Sequence, residues 1–133
     1  MLFVSYRNAC RSLMAEAIGR NKLKGLAEVS SAGVSPHGPG DPAIAIEILR
    51  THFDIDASGH TPRSIVTIDL SAIDYVVAMS SRIARGLPPM SCKLLVWDIR
   101  DPWHDDQDAY FDCAKEIERE ISLLTVGLKY MRI

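Results

Sequence analysis

The stretch FVSYRNACRSLMAEAI, residues 3–18, passes from an apolar strand through a short polar loop into a helix. That is the layout of an anion-binding turn. Successive backbone N–H groups from Tyr6 to Ser12 are placed to face one point, and the helix N-terminus adds partial positive charge. Arg11 contributes a planar fork of donors matched to phosphate geometry, and Ser12 is placed to hydrogen-bond the loop's first residue, Ser5. Taken alone, a polar loop with one arginine ahead of a helix more often means a plain N-capped turn. The rest of the chain has to decide between the two.

Outward from that loop, short apolar runs alternate with helical patterns. LFVSY reads as the first strand, and CRSLMAEAIGRNKLKG as a helix with Leu13, Met14, Ala17, Ile18 and Leu23 near a 3.6-residue period until Gly25 stops it. AEVSSAG reads as a second strand. SPHGPGDP is a structured loop whose Asp41 and Pro42 suit the N-cap and first position of a helix, DPAIAIEILRTHF. After the polar turn DIDASGHTPRSI, the runs IDYVVAM and LPPMSCKLLVWDI read as strands buried on both faces. The last segment places Phe111, Ala114, Ile117, Ile121, Leu124 and Leu128 on one face of a long helix. The order βαβαββα predicts an α/β fold: a small parallel sheet covered on both faces, with ligands at the carboxyl ends of its strands.

A chain of 133 residues, 47% hydrophobic and 24% charged, suits one core, so a single domain over residues 1–133 is expected. No apolar run reaches the roughly 20 residues of a membrane span, and MLFVSYR lacks the marks of a secretion signal. A cytoplasmic protein without a membrane partner is the expectation. Cys10, Cys92 and Cys113 are odd in number, widely spaced and free of any CxxC pair, which argues against a disulfide framework, a zinc site or any other metal. Cys92 and Cys113 are expected to be buried packing residues. A net charge of −2 and the lack of a basic stripe exclude nucleic acid as the expected partner.

Four motifs in order then carry a resemblance. SYRNACRSLMAEA (5–17), SSAGV (30–34), DPAIAIEILRTHFDIDASGHTPRSI (41–65) and DIRDPW (98–103) resemble the low-molecular-weight protein tyrosine phosphatase family, which includes thioredoxin-coupled arsenate reductases. The resemblance covers nearly the whole chain. It implies a three-layer fold with a four-stranded parallel sheet, and hydrolysis of phosphotyrosine or aryl phosphate monoesters without a cofactor. Ser5 stands at the nucleophile position, where the family has cysteine. The resemblance further implies that Tyr6, Arg7, Asn8, Ala9, Cys10, Arg11 and Ser12 hold the phosphoryl group, with Arg11 binding it and Asp101 protonating the leaving oxygen. Asn8, Ser12, Ser31 and His60 would form the polar network supporting the loop; Tyr6, Pro36, His37, Trp103 and His104 would line its rim. The partners implied are phosphate or a similar oxyanion and a phosphotyrosine protein. The reductase branch is implied less, because it needs further cysteines near the end of the third strand, and SSRIARGLPP has none.

The chemistry explains what Ser5 changes. A cysteine at a helix N-terminus beside an arginine is acidic enough to be a thiolate at neutral pH. A serine hydroxyl needs an adjacent base instead, and the resemblance supplies none, so little or no hydrolysis is expected. Two readings follow: a hydrolase crippled at Ser5, or a pseudophosphatase that binds a phospho-ligand. Two further departures stand in the same loop, Leu13 for a proline and Arg7 for a glycine. Arg7 is strained if its φ must be positive; alternatively its guanidinium reaches the anion, Asp105 or Asp106. Asp101 before Pro102 also suits an ordinary turn, His60 a structural histidine, and the run 104–108 a solvated face or helix cap. Trp97 reads as core.

Overall fold

The computed structural model describes residues 1–36, 41–103 and 105–131. Four strands, β1 (Leu2–Ser5), β2 (Ser30–Gly33), β3 (Tyr75–Ala78) and β4 (Lys93–Val96), pair in parallel in the order β2-β1-β3-β4. The helices are α1 (Arg11–Lys22), α2 (Ala43–Phe53), α3 (Ser81–Arg85) and α4 (Gln107–Met131), with two 3₁₀ turns at Ile65–Thr67 and Leu70–Ala72. This is the α/β sheet the sequence implied. Its register aligns Ser5 with Gly33 and Val4 with Ala78, so Ser5 sits at the carboxyl edge between two neighbouring strands.

The central strands are continuous apolar runs because both their faces are covered. Leu2, Phe3 and Val4 of β1 and Val76, Val77 and Ala78 of β3 are fully buried. Helix α1 packs on β1, β2 and α4, and α2 packs on α1 and α4. His52 and Phe53 of α2 meet the Phe111 ring at 4.1 and 6.3 Å between centroids. Ala114, Ile117 and Ile121 form the fully buried stripe of α4, flanked by the half-buried Phe111, Leu124 and Leu128. No helix among the described residues is long and apolar enough to cross a membrane.

The structure corrects three readings. First, α3 lies between β3 and β4, so the crossover that seemed to lack a helix has one. Ser80 caps it by accepting the Ile83 N–H at 3.2 Å. Second, β4 is not buried on both faces: Leu94 is 43% and Val96 45% exposed, because β4 is the sheet's edge. Third, Cys92 is only half-buried, whereas Cys113 is buried. Boundaries also move slightly. Helix α1 ends at Lys22, and Gly25, at φ +80°, bends the chain after it; Asp41 Oδ1 accepts the Ala43 N–H at 2.9 Å, so α2 begins one residue beyond Pro42.

Candidate functional site

The β1–α1 loop leaves the sheet at Ser5 and enters α1 at Arg11. Its shape is fixed by one buried side chain. Asn8 is fully buried and adopts φ +58°, a left-handed conformation that asparagine tolerates better than most residues. Its Nδ2 donates to Ser12 Oγ and to Ser31 Oγ, both at 2.9 Å, and its Oδ1 accepts the Arg63 N–H at 2.9 Å. His60 Nε2 lies 2.7 Å from the Asn8 carbonyl, and a carbonyl only accepts, so Nε2 carries a proton. His60 Nδ1 faces Glu16 Oε2 at 3.6 Å. Burial works against ionisation of Glu16, yet His60 and Arg20 outweigh it and hold Glu16 below its ordinary value. Asn8, Ser12, Ser31 and His60 are thus brought together in one hydrogen-bonded cluster.

The second strand supplies the other support. Val34 N–H donates to Ser5 O at 3.0 Å and Ser35 N–H to Tyr6 O at 2.8 Å. Gly33 lies against that run: a Cβ there would stand 2.9 Å from the Arg7 carbonyl carbon and from Tyr6 O, and 3.0 Å from Asn8 N. Only glycine fits without moving the loop.

Within this frame Ser5, 3% exposed, shares a 2.6 Å hydrogen bond with Ser12 Oγ, and its Oγ also accepts the Asn8 N–H at 3.3 Å. No carboxylate or imidazole among the described residues bonds to it. Asp101 is turned elsewhere. One of its oxygens is 3.6 Å from Arg11 Nη2 and the other accepts the Trp103 N–H at 3.0 Å, so Asp101 both faces the arginine and makes the turn. Arg11 is 7% exposed and donates from Nη1 to the Ile99 carbonyl at 2.9 Å. Among the described residues no protein group accepts the backbone N–H of Ala9, Cys10, Arg11 or Ser12. Arg11 and Ser12 open α1, where a helix leaves its first N–H groups without an intrahelical partner, and with Ala9 and Cys10 they make a run of four such groups at one end of the loop.

Around this loop lies a small pocket lined by Ser5, Tyr6, Arg7, Ala9, Cys10, Arg11, Asp41, Asp101, Trp103 and Tyr110. Trp103 belongs to it and Trp97 to the core, where Trp97 tilts against Phe3. Pro36 is not part of its wall, and His37 and His104 lie outside the described residues. The loop's one thiol does not replace the nucleophile. Contact with the Cys113 thiol, burial and the nearby Asp101 push Cys10 well above the ordinary cysteine value despite Arg11, so it stays protonated at neutral pH. Two of the alternatives for Arg7, strain and a contact with Asp105 or Asp106, are corrected. Its φ is not positive, because Asn8 takes the left-handed step instead. Its guanidinium donates to Ser35 O at 2.9 Å and lies 4.6 Å over the Tyr6 ring, away from Asp105, which pairs with Arg100 at 2.8 Å, and from Asp106, which accepts the Ala109 N–H at the start of α4.

Sequence reasoning missed Tyr110. It is 2% exposed, lines the pocket, and makes no hydrogen bond through its hydroxyl to another described residue. Burial first, then Cys10, Asp101, Asp105 and Asp41, push its phenol up to about 12, so it remains a neutral donor. Nothing in its spacing announced this, because position 110 lies one residue before Phe111 on a helix whose apolar stripe explains a tyrosine equally well.

The parallel sheet thus carries at its carboxyl edge the β1–α1 loop, an arginine at the helix start and an Asp-Pro turn beside it. Residues 1–131 match the family model described as low molecular weight phosphotyrosine protein phosphatase. The chain belongs to that family. It is 36% identical over 123 residues to an arsenate reductase of Staphylococcus aureus (strain N315), covering 88% of this chain and 92% of that one. Among solved structures it superposes on the low molecular weight protein tyrosine phosphatase from T. tengcongensis with TM-score 0.85 at 33% identity, covering 95% and 97% of the two chains. It also superposes on a cysteine-to-serine mutant of the YwlE arginine phosphatase with a phosphorylated active-site serine (TM-score 0.84, 27% identity, 96% and 94% covered).

Proposed function

We propose that loop 5–12 is a phosphoryl-binding loop, and that the chain binds phosphomonoesters or free oxyanions while turning them over slowly or not at all. The observation that carries this reading is the run of four backbone N–H groups without a protein acceptor, with Arg11 beside it and Ser5 Oγ at its mouth. In this reading the N–H groups and Arg11 hold the equatorial oxygens of the phosphoryl group, and Asp101 delivers a proton to the leaving oxygen. Ser5 stands where the attacking atom belongs. Its only described partners are a hydroxyl and an N–H donor, so no base removes its proton. Binding outlives chemistry. The serine-bearing YwlE mutant, which carries a phosphorylated active-site serine, supports a second outcome for reactive donors: a phosphoryl group that does reach Ser5 stays there as phosphoserine, because a serine alkoxide leaves far less readily than a thiolate.

Reduction of arsenate, the activity in the names of several relatives, is the less favoured reading. Ser5 is not a thiol, Cys10 is held protonated against Cys113, and Cys92 lies beside the amino end of β4, at the opposite edge of the sheet from Ser5. The test is calorimetric titration with phosphate or vanadate. One site in the millimolar range or tighter, worth about 4 kcal/mol or more, is expected, and Arg11→Ala should abolish it. No heat with the unchanged protein at tens of millimolar, roughly ten times such a dissociation constant, overturns the reading.

A further inference from the structure

A second cavity opens beside the anion pocket, and the topology explains why it is there. In the order β2-β1-β3-β4 the chain leaves β1 towards β2 on one side and leaves β3 towards β4 on the other. The segments following β1 and β3 therefore diverge, which is the place where open parallel sheets form ligand crevices. The cleft between them has a volume of about 510 Å³ and is lined by Tyr6, Arg11, Val34, Ser80, Arg82, Ile83, Gly86 and Asp101. It shares Tyr6, Arg11 and Asp101 with the anion pocket, so the two form one continuous site. That volume is in the range of small-molecule sites, far more than a phosphoryl group occupies.

Its walls differ in character from those of the pocket. Asp41 and Asp101 border the anion pocket, whereas the far wall of the cleft carries Arg82, an exposed cation in no ion pair with a described residue. The Tyr6 ring, 47% exposed, with Val34 and the buried Ile83 provides apolar surface between them. We infer that this cleft is a specificity subsite for a phosphotyrosine peptide, in which apolar parts of the ligand lie along Tyr6, Val34 and Ile83 and a carboxylate next to the phosphotyrosine pairs with Arg82. The inference rests on loop 5–12 holding the phosphoryl group. It adds to the phosphotyrosine ligand implied by the family the residue that selects among such ligands.

The Ser5 protein suits the test because it binds without consuming its ligand. Titration with N-acetyl-Glu-phosphotyrosine amide and with its isosteric Gln counterpart should show the acidic peptide binding about three- to fivefold tighter, the range of a partly exposed ion pair. The preference should shrink as salt rises, because charge is screened. Arg82→Ala should make the two peptides equal while leaving inorganic phosphate binding and the unfolding midpoint unchanged, and Arg82→Glu should reverse the preference. Equal binding of the two peptides by the unchanged protein, or a preference that survives Arg82→Ala, overturns the subsite while inorganic phosphate still binds. Failure to bind phosphate as well overturns the loop reading and the subsite together.

Discussion

At the residue scale, Asn8 decides whether the loop has a shape at all. Replacing it by alanine leaves the Ser31 hydroxyl and the Arg63 N–H without the partner described for them, takes one of two partners from the Ser12 hydroxyl, and leaves position 8 at φ +58° with no compensating bonds. Buried groups left unpaired cost about 1–3 kcal/mol each. Asn8→Ala should therefore lower stability by about 3 kcal/mol, read as a shift in urea midpoint at unchanged slope; a change under about 0.5 kcal/mol, the level of an ordinary surface substitution, contradicts this account of the loop. Tyr110 makes a different prediction. Its phenol is protonated in the folded protein up to about 12 but ionises near pH 10 when unfolded. Because the folded value is raised, its contribution to stability is complete below pH 10 and is lost as pH climbs towards 12. Tyr110→Phe should flatten that alkaline fall and, by removing a donor that faces the pocket, weaken phosphate binding a few-fold with no loss of stability at pH 7. An unchanged affinity would assign Tyr110 to packing alone.

At the element scale, the loop is held by β2 as much as by β1. A Cβ at position 33 would press on the backbone of Tyr6, Arg7 and Asn8, which are not flexible side-chain ends. Gly33→Ala should cost about 1–3 kcal/mol, typical of overpacking, and should weaken phosphate binding more than a change of equal stability cost elsewhere; intact affinity would show that the loop moves freely away from β2. The same element shows how much was legible in advance. SSAGV was readable as a family motif, but its reason, a glycine against a loop 26 residues earlier in the chain, is a contact between distant segments that no local pattern encodes. Arg11, Ser12 and the apolar stripe of α4 were readable because spacing and side-chain chemistry are local, whereas Asn8 was readable only through the family resemblance. Helix α3 was not: five residues give too little periodicity to separate it from a turn, and its signal is a single capping serine, Ser80. β4 looked like a central strand because KLLVW is apolar enough, but edge position is a property of the sheet order. Arg7 was misjudged for a similar reason, since the left-handed step moved one residue to Asn8.

At the scale of the whole molecule, the sheet order places the loop, the Asp101 turn and the Arg82 cleft along one carboxyl edge. Because Arg7 sits at ordinary φ, restoring the thiol alone should be sufficient. Ser5→Cys together with Arg7→Gly should be no more active than Ser5→Cys by itself, whereas a clear gain would show hidden strain in the loop. The measurement that tests the central claim most directly is hydrolysis of an aryl phosphate by the Ser5 protein and by Ser5→Cys, side by side, at phosphate-saturable concentrations. Loss of a nucleophile from a concerted site has cost on the order of 10⁶ in turnover in another hydrolase. The account predicts turnover by Ser5→Cys, inhibited by inorganic phosphate, and turnover lower by several orders of magnitude with Ser5. Comparable rates for the two proteins, or no hydrolysis by Ser5→Cys although it binds phosphate, would contradict it.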